Sequence, residues 1–224
     1  MKLHVGFITI GQSPRTDVMN DLSRILTKNI EVAEKGVLDG FTREEIMEKF
    51  SPEPGHTVYV SRLRDGSSIT MSKEKILPVM QERIKELGEI TDLIVILCSG
   101  DFPRFESRVP IIYPEKLLKA FVEGISLTGR LAVFIPLPQQ VVYAYKKWSS
   151  LYPEVTVVDV SPYSANLEEF SLKARKLVNE DPQLVVMDCV GYTFEQRKTV
   201  QEVLEKPVVT TRGVIARALN ELAG

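Results

Sequence analysis

Cys98 and Cys189 are the only two thiols among 224 residues, and each closes an apolar run that reads as a buried strand. The runs are Leu93-Ile94-Val95-Ile96-Leu97-Cys98-Ser99-Gly100 and Leu184-Val185-Val186-Met187-Asp188-Cys189-Val190-Gly191. In an open parallel sheet, ligands bind beyond the carboxyl ends of the strands, where both thiols would lie. A thiol titrates near pH 8.5, and a helix amino terminus or a neighbouring cation brings it into the working range. Each cysteine stands two residues before a glycine and the start of a loop or helix, so backbone N–H groups can stabilise a thiolate. A thiolate and a thiol facing one cleft can take a proton from one side of a substrate carbon and return one to the other, with no metal and no organic cofactor. The plainer alternative is that both are small hydrophobes near strand ends, since free cysteine is often buried.

Other residues narrow the chemistry. His4 begins the first strand, at the end away from the expected site, and His56 precedes an inserted hairpin. The placement of these two histidines argues against a Cys-His nucleophile or a histidine-rich metal site. Gly11 lacks the Gly-x-Gly-x-x-Gly spacing of a dinucleotide site. In the segment Gly11-Gln12-Ser13-Pro14-Arg15, Ser13 offers a hydroxyl and Arg15 a bidentate guanidinium; a polar surface turn is the competing reading. Thr210, Thr211 and Arg212 are a weaker set, with Thr211 suited to capping the last helix. Arg104 and Arg108 could close over an anion from the loop after Cys98; an exposed charged loop is the competing and favoured reading. Tyr143, Tyr145 and Trp148 are packing residues of one helix, and Tyr192, beside the Cys189 turn, is placed to line a cleft.

Positioning these groups falls to an alternation of short β-rich runs and amphipathic segments, the pattern of an α/β protein with parallel strands. Strands are expected at 4–10, 93–98, 109–113, 131–137, 155–160, 184–189 and 207–210. Helices are expected at 16–27, 41–50, 73–87, from 114, and at 139–148, 166–179, 194–205 and 211–222. Thr42 with Glu45 forms a capping-box pattern, and Asn166 with Glu169 is a second cap. Pro78 should delay or kink its helix. Residues 57–72 break the rhythm as a hairpin with an Asp65-Gly66 turn, and 101–108 read as a crossing or a lid. The segment from His4 aligns with the segment from Leu131, and Cys98 with Cys189, which implies a duplicated unit with an insertion near 37–72 of the first copy. The expected fold is thus two similar doubly wound parallel-sheet α/β halves with an inserted β-hairpin in the first.

Bulk properties exclude several partners. A net charge of -2 with no long basic block gives nothing for nucleic acid or an anionic membrane to hold. The apolar runs are far too short to span a bilayer. Met1 leads directly into a strand pattern without a signal-peptide core, and two cysteines are too few for a disulfide scaffold, so a reducing cytoplasm is expected. The exposed edge of the hairpin is a candidate homodimer surface.

Several segments resemble the AroM family: residues 5–15, Leu38-Asp39-Gly40-Phe41-Thr42-Arg43, Met187-Asp188-Cys189-Val190-Gly191-Tyr192 and Gly213-Val214-Ile215-Ala216-Arg217. More remotely, the paired-cysteine plan is similar to the aspartate/glutamate racemase superfamily. That resemblance implies two α/β halves, 1–113 with 207–224 (hairpin about 56–72) and 114–206, and a cleft receiving one cysteine from each. It further implies a cofactor-independent racemase, isomerase or decarboxylase of a small carboxylate, with Cys189 and Cys98 catalytic and no metal. Ser13, Arg15, Gly11, Ser99, Thr193 and Tyr192 would then contact substrate. Racemases usually follow the first cysteine with Asn-Thr and the second with Thr; here Ser99-Gly100 and Val190-Gly191 stand instead, with Thr193 further along. The alternative is a non-catalytic protein that binds or senses a small metabolite of aromatic metabolism.

Overall fold

The computed structural model describes residues 2–224 and divides into two compact units, Met1–Pro114 with Ala216–Gly224, and Glu115–Ile215. In the first unit the chain runs β1 (Leu3–Thr9), α1 (Thr16–Leu22), β2 (Ile30–Gly36), α2 (Arg43–Phe50), β3 (Val58–Arg62), β4 (Ser68–Ser72), α3 (Lys73–Gly88), β5 (Leu93–Ile96) and β6 (Ile111–Ile112). The chain continues as α4 (Pro114–Glu123), β7 (Leu131–Ile135), α5 (Val141–Ser149), β8 (Val155–Asp159), α6 (Leu167–Arg175), β9 (Leu184–Met187), α7 (Phe194–Leu204), β10 (Val208–Thr210) and α8 (Thr211–Ala223).

Each unit holds a four-stranded sheet, β2-β1-β5-β6 in the first and β10-β9-β7-β8 in the second. All pairings in both sheets are parallel. Read from the opposite edge, the second order repeats the first, with β1 answered by β7, β2 by β8, β5 by β9 and β6 by β10. The central strands are continuous apolar runs because both faces of a parallel sheet are covered: β5, β7 and β9 are buried throughout. Each fully buried aliphatic side chain there stabilises by roughly 1.5–3 kcal/mol.

The duplication is one residue out of step with the expected match of His4 to Leu131. Val5 pairs with Leu93, and Leu131 pairs with Leu184. With Cys98 on Cys189, Leu93 falls on Leu184, so Leu131 corresponds to Val5 and not to His4. A slip of one residue would send every side chain of the strand to the wrong face. The insertion is α2 with the β3–β4 hairpin, whose turn places Gly66 at φ 86°.

Other expectations need correction. Strand β2 lies outside the expected strands because Glu31, Glu34 and Lys35 interrupt its apolar pattern; as an edge strand it tolerates charge. Helix α1 stops at Leu22. Pro78 lies inside α3 without delaying its start, which Ser72 caps by accepting the Lys75 N–H. The carboxyl-terminal strand does not return to the first half: β10 pairs with β9, and only Ala216–Gly224 joins the first unit. Residues 101–108 are no free lid, since Phe102 and Phe105 are buried and the Phe105 N–H donates to the Tyr113 hydroxyl at 2.9 Å. Among the described residues, no helix is long and apolar enough to cross a membrane.

The hairpin is fastened to α3 by Glu74, whose carboxylate accepts the Thr57 N–H at 3.2 Å and the Ser72 hydroxyl at 2.9 Å. Burial acts to raise its pKa, but hydrogen bonds from its own N–H, from Thr57 and from Ser72 outweigh that and bring it to about 2. A depressed carboxylate stabilises fully above its unfolded pKa and loses that contribution as pH falls through the folded value. A Glu74→Gln variant is therefore expected to show a lower urea midpoint at neutral pH, by about 1 kcal/mol or less for so exposed a group. That gap should close between pH 5 and pH 2 in urea titrations of both proteins.

Candidate functional site

In the first unit the chain leaves the sheet just after β5. The Leu97 N–H still donates to the Ile8 carbonyl at 2.7 Å, and Cys98 follows, half-buried. Its Sγ accepts the Gly100 N–H at 3.4 Å. Gly100 has no room for a side chain: a Cβ would collide with the Tyr59 ring and stand 2.6 Å from its hydroxyl. That hydroxyl donates to the Asp101 carbonyl at 2.9 Å. Alternation along the inserted hairpin turns Tyr59, Ser61 and Leu63 inward. Tyr59 covers Gly100, while Ser61 lies so close to Gly11 that a Cβ there would meet its hydroxyl at 2.6 Å. The hairpin therefore roofs the carboxyl ends of β1 and β5.

Ser13 and Arg15 both have partners within the first unit. The Ser13 hydroxyl and N–H donate to the Asp39 carboxylate at 2.5 and 2.8 Å, which also accepts the Gly36 N–H at 2.7 Å. Arg15, 3% exposed, grips Asp17 through Nε and Nη2 at 2.8 Å each. Its Nη1 donates to the Thr9 and Ser61 hydroxyls at 3.1 and 3.2 Å. The fork read from the sequence as a carboxylate clamp is thus closed on a carboxylate of its own chain. Glu34 accepts the Arg15 N–H at 2.8 Å, yet burial prevails and its carboxyl titrates above the usual range. Ser99, partly exposed, continues the Cys98 turn.

The second unit repeats the cysteine turn. The Asp188 N–H donates to the Phe134 carbonyl at 2.9 Å, the counterpart of Leu97 on Ile8. Cys189 is 9% exposed, and its Sγ accepts the Gly191 N–H at 3.3 Å. A Cβ on Gly191 would lie 2.7 Å from the Tyr163 hydroxyl and 2.8 Å from Pro162. Each thiol therefore sits in a Cys-x-Gly turn pressed by a tyrosine, although the two tyrosines come from unrelated segments. Asp188 is compensated: its carboxylate accepts the Lys147 ammonium and the Trp148 indole N–H at 2.9 Å each. The side chains of Lys147 and Asp188 are 5% and 6% exposed, and Glu115 lies 3.5 Å beyond Lys147. The carboxylate beside Cys189 is one half of a buried ion pair.

Tyr192 faces the core. It is fully buried, donates its hydroxyl to the Val160 carbonyl at 2.8 Å and sets its ring edge-on to Phe170. Burial first, then the nearby Cys189 and Asp188, push its phenol well above the usual range. Thr193 caps α7, its hydroxyl accepting the Gln196 N–H at 3.1 Å. Thr210, not Thr211, caps α8 by accepting the Gly213 N–H at 3.2 Å, while Thr211 donates to the Met187 carbonyl. Arg212, only a weak candidate by sequence, is fully buried. Its Nε donates to the Val190 carbonyl at 2.9 Å and its Nη2 to the Gly191 carbonyl at 2.8 Å. An arginine one position into an otherwise small and apolar helix start was the available signal. Among the described residues, no three His, Cys, Asp or Glu side chains are grouped so as to hold a metal ion.

A family model described as AroM protein matches residues 5–223. No curated protein matches the chain. Among solved structures, the aspartate racemase of Picrophilus torridus is similar with a TM-score of 0.64 and 13% identity, over 100% of this chain and 95% of that one. The maleate isomerase Iso of Pseudomonas putida S16 gives 0.65 and 13%, over 99% and 93%. The allantoin racemase of Klebsiella pneumoniae gives 0.62 and 12%, over 99% and 87%. At these identities the likeness is one of fold: two four-stranded parallel α/β halves, as in the aspartate/glutamate racemases.

The tight glycines give a direct test of the turns. Gly100→Ala is expected to cost about 1–3 kcal/mol by overpacking against Tyr59. In a Tyr59→Leu background, which removes the obstructing ring, the same substitution should cost much less. Thermal unfolding of the four proteins of this cycle reads the coupling, and additive effects would refute the contact.

Proposed function

The chain belongs to the AroM family and has the aspartate/glutamate racemase fold, and from that premise we propose that it is a cofactor-independent racemase, isomerase or decarboxylase of a small carboxylate, with Cys189 and Cys98 as its acid/base groups. The observation that supports this best is the matched pair of turns. Each sulfur follows the third strand, in chain order, of its four-stranded sheet in the same register and accepts the N–H of the glycine two residues on. A hydrogen bond donated to sulfur favours the thiolate over the thiol.

In the racemase form of this reading, a C–H bond next to the substrate carboxylate breaks. Its proton goes to one Cys Sγ, and the electron pair stays on carbon, delocalised into the carboxylate. A proton from the second Cys Sγ then forms the new C–H bond and leaves that sulfur as thiolate. Exchange of both sulfurs with solvent restores the starting state, so atoms and charge balance. With Ser13, Arg15 and Tyr192 committed to the fold, the substrate contacts are Ser99, Thr193 and the backbone near Gly11. Two cysteines are too few for a disulfide scaffold and suit a reducing compartment, and the reading keeps a cytoplasmic protein, with a homodimer through the outer edge of the hairpin and no nucleic-acid partner.

The closure of Arg15 on Asp17 favours one rival, a protein that binds a small metabolite without turning it over. Incubation with a panel of 2-amino, 2-hydroxy and unsaturated dicarboxylic acids in deuterated water separates the two. Deuterium incorporation at a substrate carbon is expected for the wild type, with a loss of at least a hundredfold in Cys189→Ala. Thermal stabilisation by an acid without exchange would favour the binding protein. Equal exchange by wild type and Cys189→Ala would refute the cysteine chemistry.

A further inference from the structure

The two cysteine turns match in geometry, but the helix starts that follow the next strand of each repeat do not match in charge. With Cys98 on Cys189, β5 falls on β9, so the β5–β6 and β9–β10 registers place Ile111 on Val208 and Ile112 on Val209. The following residues then correspond one for one. Pro114 and Thr211 each begin the next helix, and the second helical residue is Glu115 in one repeat and Arg212 in the other. Duplicated positions thus carry opposite charges. Glu115 pairs with Lys147, whereas Arg212 is fully buried against the turn that holds Cys189.

The contact has a specific electrical consequence. The Val190 carbonyl that accepts Arg212 Nε and the Gly191 N–H that donates to Cys189 Sγ are the two ends of one peptide unit. A guanidinium on the oxygen draws electron density through the amide and makes the N–H a stronger donor, as in any chain of polarised hydrogen bonds. The second bond, to the Gly191 carbonyl, fixes the next peptide and keeps the N–H aimed at the sulfur. The other ionisable groups around this turn are Asp188, Lys147 from α5, Glu115 from α4, Asp159 at the end of β8, and Tyr163 and Tyr192. Lys147 lies between Asp188 and Glu115 and offsets one of these two carboxylates, Lys173 offsets Asp159 at 3.2 Å, and buried Tyr192 remains a neutral phenol; the Arg212 guanidinium opposes the negative charge that is left.

We propose that Arg212 is a positioning residue that holds Cys189 as the resting thiolate, through the Val190–Gly191 peptide, and so makes Cys189 the proton acceptor and Cys98 the proton donor of the pair. This rests on the acid/base reading of the cysteines. Its test needs no substrate, so it can fail or succeed whether or not the chain turns anything over.

The test is the pH dependence of iodoacetamide alkylation, resolved for each cysteine by mass spectrometry. In the wild type the Cys189 midpoint is expected below that of Cys98 and below the pH 8.5 of a free thiol. Arg212→Gln keeps amide donors but removes the charge; it should raise the Cys189 midpoint by about one pH unit, a roughly tenfold loss of thiolate at neutral pH. Cys98 should stay where it was, and Arg212→Lys should restore part of the shift. A Cys189 midpoint at or above that of Cys98 in the wild type overturns the proposal. So does an unchanged midpoint in folded Arg212→Gln, or a common shift of both cysteines. If near-ultraviolet circular dichroism shows that neither variant folds, the wild-type order of the two midpoints decides.

Discussion

A sulfur can accept the N–H of the residue two places ahead only if the chain turns sharply at that point, and the turn must be held from outside. In both units this constraint organises what surrounds the strand ends. The second residue after each cysteine is glycine because a tyrosine occupies the space a Cβ would need. The first unit obtains its tyrosine from an inserted hairpin, the second from the loop after β8. The β1–β5 and β7–β9 pairings set where each turn begins, since Leu97 and Asp188 make the last bond to the neighbouring strand before the chain departs. Packing, insertion and register all converge on two backbone N–H groups.

The polar network of the first unit shows how a residue type misleads when its neighbours are unknown. A serine and an arginine after the first strand have the chemistry to hold a carboxylate, and here they do hold carboxylates, those of Asp39 and Asp17. Asp17 stands two residues from Arg15 at the start of α1, whereas Asp39 reaches Ser13 from the turn after β2, a distant segment brought there by the fold. A buried guanidinium with a bidentate partner is costly to expose, so Arg15 serves to lock the loop in place. The same lesson runs the other way for Arg212, whose partners are backbone carbonyls and carry no sequence signature at all.

Much of the architecture was legible because it depends on local periodicity. The continuous apolar strands, the capping boxes at Thr42 and Asn166 and the Asp65-Gly66 turn all follow from composition within a few residues, and the duplication shows as two such local patterns recurring in the same order. Strand β2 was hidden because an edge strand carries charges that interrupt the apolar pattern. The one-residue error in aligning the halves has a similar cause: short hydrophobic runs match each other in several registers, and only the hydrogen-bond ladder distinguishes them. The burial of Tyr192 and the membership of β10 in the second sheet are tertiary facts, which no window of sequence contains.

Trp148, the only tryptophan of the chain, donates its indole N–H to the carboxylate immediately before Cys189. Indole emission responds to the polarity and charge of its hydrogen-bond partner, and Asp188 changes its distance from the ring whenever the turn moves. The protein therefore carries a built-in optical reporter on the segment that bears its most buried thiol. Any rearrangement of that turn would register in its fluorescence without a label.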